Sequence, residues 1–167
     1  MKETFTTVSD NRELVIVREF DAPRDLLWSV WNEKDHMEQW FGPRGFSTRI
    51  DHLDFSEGGE MRLVMIGPDG TEYPSRGYFK EIDPPRKVVT RDDFGEGFDE
   101  IASMKGIDLP NAPMVTTAEF EDLGARSRLK LTIAHATAED RKRHEDMGVI
   151  GGWNSSFDCL DEYLATL

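Results

Sequence analysis

The sequence predicts an α+β fold: a curved antiparallel sheet of about six or seven strands wrapped around a long C-terminal helix, with two short helices after the first strand. Three observations predict it. Short segments rich in β-branched and aromatic residues fill the middle of the chain, separated by Gly- and Pro-containing turns. Two helical stretches lie between the first of these segments and the second. The tail from Ala138 to Leu167 carries apolar residues at intervals of three and four, the stripe of a helix that covers a sheet.

Arg12 to Phe20 reads as the first strand. Asp21 is placed to cap a helix and Pro23 suits an early helical position. Leu27, Val30 and Trp31 then share one helical face, and a second short helix covers Lys34 to Trp40. Phe41-Gly42-Pro43-Arg44-Gly45 ends it. The following strands are Phe46 to Phe55, Glu60 to Ile66, Thr71 to Ile82 and Lys87 to Phe94, with Gly58-Gly59, Pro68-Asp69-Gly70 and Asp83-Pro84-Pro85 as turns. Met114 to Glu121 and Arg126 to Ala134 form a hairpin, in which Leu129, Leu131 and Ile133 alternate with polar residues. One sheet face is therefore buried and one is wet, and short turns between consecutive strands make the sheet antiparallel.

The C-terminal stripe is Ile150, Trp153, Phe157, Leu160 and Leu164. Gly148, Gly151 and Gly152 interrupt it, marking a kink or a close approach to the sheet. Thr137 and Asp140 have the spacing of a cap. Unbroken, this helix measures about 40 Å at 1.5 Å per residue, enough to cross a whole sheet. The segment 95–113 is long for a connection and carries Phe98, Ile101, Met104, Ile107 and Leu109. A lid and a decorated surface loop fit it equally.

With 167 residues and no internal repeat, linker or low-complexity tract, residues 1–167 read as a single domain with its core in 12–166. A formal net charge of -13 disfavours nucleic acid and anionic membrane surfaces as partners. No apolar run approaches the length of a membrane span, and the N-terminus lacks the apolar core of a signal peptide. The expected location is cytoplasmic. The single cysteine, Cys159, fits a reducing compartment and reads as a buried small hydrophobe.

No catalytic motif stands out. The four histidines, His36, His52, His135 and His144, lack metal-ligand spacing and read as surface or satisfied residues. Gly95-Glu96-Gly97 lacks the context of a dinucleotide loop, and there is no Walker loop or nucleophile elbow. Asp92, Asp93, Glu96, Asp99 and Glu100 read as a solvated acidic loop rather than a cation site. Neither a metal nor a cofactor is expected.

Several runs resemble one known family. They are Arg18-Glu19-Phe20-Asp21-Ala22-Pro23, Trp40-Phe41-Gly42-Pro43-Arg44-Gly45-Phe46, Gly58-Gly59, Gly67-Pro68-Asp69-Gly70, Glu81-Ile82-Asp83-Pro84-Pro85 and Gly152-Trp153 with Leu160 and Leu164. In order and spacing they resemble the activator of heat-shock protein 90 ATPase homologue family of the START-like (SRPBCC) superfamily, over roughly Glu13 to Leu164. The resemblance implies a helix-grip fold with an apolar cavity between sheet and terminal helix. Relatives include lipid carriers, polyketide cyclases and hormone-binding proteins, so fold alone does not assign a function. The eukaryotic activator adds an N-terminal domain with an Asn- and Trp-rich stimulatory motif. Residues 1–11 contain no such motif, so a chaperone-activator role is the least favoured reading.

The residues expected to face that interior are Trp40, Phe41, Met61, Leu63, Met65, Phe79, Phe120, Met147, Trp153 and Phe157. Some must be plain core and others can line an open cavity. His52 shares a strand face with Phe46 and Ile50, which makes it the candidate polar group of the cavity. The favoured function is binding of a small apolar or amphipathic molecule. The alternative is a cyclase- or hydrolase-like enzyme in the same cavity, recognisable by a buried titratable group, with Arg62, Arg76 and Glu81 as candidates of unassigned facing. A homodimer is compatible with the sequence.

Overall fold

The structure, a computed structural model, describes residues 4–9, 11–95 and 97–167. Glu96 of the acidic run lies outside the described residues, as do 1–3 and 10 of the N-terminal segment. The elements are β1 (Thr4–Ser9), β2 (Glu13–Phe20), α1 (Arg24–Asn32), α2 (Lys34–Trp40), β3 (Ser47–Leu53), β4 (Glu60–Ile66), β5 (Glu72–Asp83), β6 (Lys87–Phe94), α3 (Phe98–Lys105), β7 (Met114–Asp122), β8 (Ser127–Ala134), α4 (Ala138–Asp146) and α5 (Val149–Leu164).

Among the described residues all strands join one antiparallel sheet of eight, in the order β1-β2-β8-β7-β6-β5-β4-β3. The strand beyond the expected six or seven is β1, which pairs with β2 at the edge, Phe5 opposite Val17. The α1–α2 pair carries the chain from β2 to β3, from one side of the sheet to the other. β2 then closes on β8, with Ile16 opposite Leu131.

Alternation decides the inner face. Leu14, Ile16, Arg18 and Phe20 of β2 are buried, as are Leu129, Leu131 and Ile133 of β8. Against them pack Leu27 and Val30 of α1, Trp40 of α2, and Phe157, Leu160 and Leu164 of α5. Burying a large apolar side chain contributes roughly 1.5–3 kcal/mol, so this layer supplies most of the driving force. Arg18 is the charged residue of β2 on that face. Its Nη2 donates to Asp158 Oδ1 at 2.7 Å and Asp161 Oδ2 at 2.6 Å, tying β2 to α5.

One local expectation changes, and one pair of alternatives is decided. Asp21 is no helix cap: α1 starts after Pro23 without a side-chain cap, and Asp21 instead receives the Arg126 Nε hydrogen bond at 2.9 Å. Of the two readings of the tail, the broken helix is the one the structure shows. Gly148 at φ +88° ends α4 and opens α5, a backbone conformation glycine adopts at little cost. That leaves α5 about 24 Å long at 1.5 Å per residue. The Thr137 cap is as expected, with its Oγ1 accepting from the Asp140 amide at 3.0 Å.

Candidate functional site

Between the sheet and the α4–α5 bend lies a cavity of about 350 Å³, room for about a dozen waters at ~30 Å³ each. That falls in the range of small-molecule sites. Its walls come from alternate residues of the strands: Met61, Leu63 and Met65 of β4; Ser75 and Phe79 of β5; Val88, Thr90, Asp92 and Phe94 of β6; Met114, Thr116 and Ala118 of β7. Helices supply Trp31 and Met37 on one side, and His144, Met147, Gly148, Val149, Gly152, Trp153 and Ser156 on the other.

Seven of the sequence-derived candidates line it: Phe41, Met61, Leu63, Met65, Phe79, Met147 and Trp153. Trp40, Phe120 and Phe157 sit behind them in the core. Trp40 donates its indole N–H to the Val30 carbonyl at 2.9 Å. Phe120 packs edge-on against Trp28, and Phe157 edge-on against Phe20. Trp31 stacks on Trp153 with centroids 5.8 Å apart and planes 11° apart, forming an aromatic wall.

His52 is not in the cavity. β3 carries a register shift between Ile50 and His52, so the alternation that starts at Ile50 is broken there. His52 is exposed, and Leu53 takes the inward position. Arg62, Arg76 and Glu81 also lie outside the lining. Arg62 is exposed and pairs with Glu60, and Glu81 holds Lys87 at 2.5 Å. Cys159 is half-buried on α5 rather than fully enclosed.

The carboxylates and imidazoles in the lining are Asp92, Asp93 and His144, and of these Asp92 and His144 have strongly perturbed protonation. Asp92 follows Val88 and Thr90 in the period of two and so faces inward, not into an acidic loop. Its Oδ2 accepts from Thr90 Oγ1 at 3.0 Å, and Thr116 is its second hydroxyl partner. The space its carboxyl fills exists because residue 77 is glycine. A Cβ there would stand 2.8 Å from Asp92 Oδ1. Asp92 is half-buried, its open surface facing the cavity. Burial pushes its carboxyl up to about 6, against the two threonine hydrogen bonds that favour the ionised form.

His144 Nδ1 lies 2.9 Å from His135 Nε2, and His135 Nδ1 lies 2.8 Å from the Arg12 carbonyl. A carbonyl only accepts, so His135 donates from Nδ1. His135 is buried and burial lowers its pKa, so it is neutral and its Nε2 accepts from His144 Nδ1–H. His144 Nε2 therefore keeps its lone pair. Burial first, and then the neighbouring His135, bring His144 down to about 4.

The 95–113 segment contributes helix α3. Phe98 is buried, meets Phe94 at 4.7 Å and Tyr73 at 5.9 Å between centroids, and lines the cavity. The segment is thus neither a bare loop nor detached from the site. Among the described residues no cluster of three or more His, Cys, Asp or Glu could hold a metal ion. Among them, no helix is long and apolar enough to cross a membrane.

An antiparallel sheet curved over a C-terminal helix, with two short helices after an early strand and an apolar cavity beneath, defines a helix-grip protein. The chain matches the Activator of Hsp90 ATPase homolog 1-like protein family over residues 21–165, and it belongs to that family. It is similar in structure to a protein from Arthrobacter aurescens, with TM-score 0.85 and 24% identity over 99% of this chain and 92% of that one. It also resembles a Mycobacterium smegmatis protein, with TM-score 0.82 and 26% identity over 97% of both chains. A third similar structure is the AHSA1 protein of Silicibacter pomeroyi, with TM-score 0.71 and 27% identity over 92% of this chain and 98% of that one. No curated protein matches the chain.

Proposed function

We propose that this chain acts as a single ligand-binding domain that takes a small apolar or amphipathic molecule into the cavity between sheet and terminal helix. The observation that carries this reading is a largely apolar cavity of about 350 Å³ that an ordinary core would have filled. Apolar walls that face a pocket lack the packing partners a filled core gives them, which costs stability. A bound ligand repays that cost.

The test is native mass spectrometry of the purified protein, with denaturing extraction of anything bound, followed by titration with the apolar fluorophore N-phenyl-1-naphthylamine. A co-purifying apolar molecule or saturable fluorescence enhancement supports the reading. Ser75→Phe, which places a ring in the cavity, should abolish the enhancement while leaving the circular dichroism unchanged. No co-purifying molecule and no enhancement with the wild type would overturn it.

A second reading, a cyclase- or hydrolase-like enzyme, has one observation in its favour. A carboxyl held near 6 and a neutral imidazole with a free lone pair enter the same apolar cavity. Groups so perturbed suit proton transfer near neutral pH. Turnover of aryl esters or of aryl polyketide mimics, lost in both Asp92→Asn and His144→Gln, is the outcome this reading requires.

A further inference from the structure

The polar atoms of the cavity do not match its apolar walls at random. The hydroxyls on the strands around Asp92 are already engaged. Thr90 Oγ1 donates to Asp92 Oδ2 at 3.0 Å, and Thr116 also bonds to that carboxyl. Ser75 Oγ points to the Asp93 carbonyl at 3.5 Å. Two threonines on one carboxylate leave acceptor capacity, since an ionised carboxylate offers about four lone-pair sites. The Arg12–His135–His144 chain fixes the other end: with Nδ1–H spent on His135, His144 presents an acceptor at Nε2.

No Lys or Arg belongs to the cavity lining among the described residues. The cation at its edge, Lys105 over the Tyr73 ring, is held 3.4 Å from Asp69 Oδ2. At Asp92 and His144 the remaining polar capacity is therefore acceptor capacity beside a negative charge. An anionic headgroup entering it meets no counter-charge and a carboxylate, which is costly in a low-dielectric site.

We infer that the ligand is an apolar molecule carrying a hydrogen-bond donor, a hydroxyl or an N–H, which it gives to Asp92 or to His144, and that carboxylates such as fatty acids are excluded. This rests on the cavity-binding reading and specifies the chemistry of what enters. It also separates the ligand from a plain hydrocarbon, whose entry would leave His144 Nε2 and the spare lone pairs of Asp92 without a donor.

The experiment is a matched series against the wild-type protein at pH 7.5: naphthalene, 2-naphthol and 2-naphthoate, each competing with N-phenyl-1-naphthylamine. A hydrogen bond to a charged acceptor predicts 2-naphthol at least about tenfold tighter than naphthalene, with 2-naphthoate weakest. In Asp92→Leu the preference for 2-naphthol over naphthalene should fall below about threefold, because the charged acceptor is gone. Retained naphthalene binding shows that this variant is folded. Equal binding of all three, or tightest binding of 2-naphthoate, overturns the donor inference while the cavity reading stands. Failure of every compound, fluorophore included, overturns the cavity reading and the inference with it.

Discussion

The Nε2 atom of His135 and the Nδ1 atom of His144 lie 2.9 Å apart, joining the residue that follows β8 to a cavity-facing position on α4. Burial holds His144 at about 4, well below the usual histidine value near 6.5. As pH falls below 6.5 the unfolded chain takes a proton that folded His144 refuses. Its contribution is therefore intact above about 6.5 and lost progressively down to about 4, an effect on the order of 3 kcal/mol. Urea denaturation between pH 8 and 4 should show a shallower acid decline for His144→Gln than for wild type. Parallel profiles would sink the assignment.

Asp92 carries the opposite sign. Its folded value of about 6 exceeds the ordinary 3.8, so its contribution is fully present below 3.8 and lost as pH rises through about 6. Asp92→Asn should therefore be more stable than wild type at pH 7.5, by roughly 2–3 kcal/mol, with the advantage gone by pH 4. Because Asp92 and His144 oppose each other between about 4 and 6, the wild-type profile is flattened there and the variants separate the two. A variant less stable than wild type at pH 7.5 would show that the carboxylate is not desolvated.

The two cavity groups differ in how legible they were. Asp92 shares the period of Val88, Thr90 and Phe94, so the strand pattern places it inward. The neighbouring Asp93, Asp99 and Glu100 made the run look like a solvated loop instead. The His135–His144 pair is invisible in sequence, because the turn before α4 alone brings residues nine apart into contact. His52 failed for a third reason. A one-residue register shift reverses the facing of everything beyond it, and nothing in Ile50-Asp51-His52 announces a bulge. The strands and the apolar stripes were legible because alternation and helical spacing are repeated many times. Whether an aromatic packs, like Phe157, or lines a void, like Trp153, depends on the neighbouring layer and is not local.

Arg18 makes its two ion pairs in unequal surroundings. Its own side chain is 10% exposed; Asp161 is 12% exposed and Asp158 57%. Removing the guanidinium in Arg18→Met leaves the buried Asp161 carboxylate without it, which should cost about 3–5 kcal/mol. Asp158→Asn acts on a solvated partner and should cost less than about 1 kcal/mol. Urea midpoints at unchanged slope check both, and the double variant Arg18→Met with Asp161→Leu should recover most of the loss. Equal effects of the two single variants would mean that burial does not grade these pairs.

Trp31 and Trp153 stack at the cavity wall, whereas Trp40 is only 2% exposed and Trp28 packs on Phe55 and Phe120. A ligand in the cavity touches the first two rings, both of which line it, and neither of the others does. Intrinsic fluorescence should therefore change on ligand binding mainly through that stacked pair. Trp153→Phe keeps an aromatic face but removes one indole, so most of the ligand-induced change should vanish while affinity falls by less than about tenfold. Trp28→Phe should leave the ligand-induced change intact. If the signal survives in Trp153→Phe and disappears in Trp28→Phe, the ligand occupies a place other than this cavity.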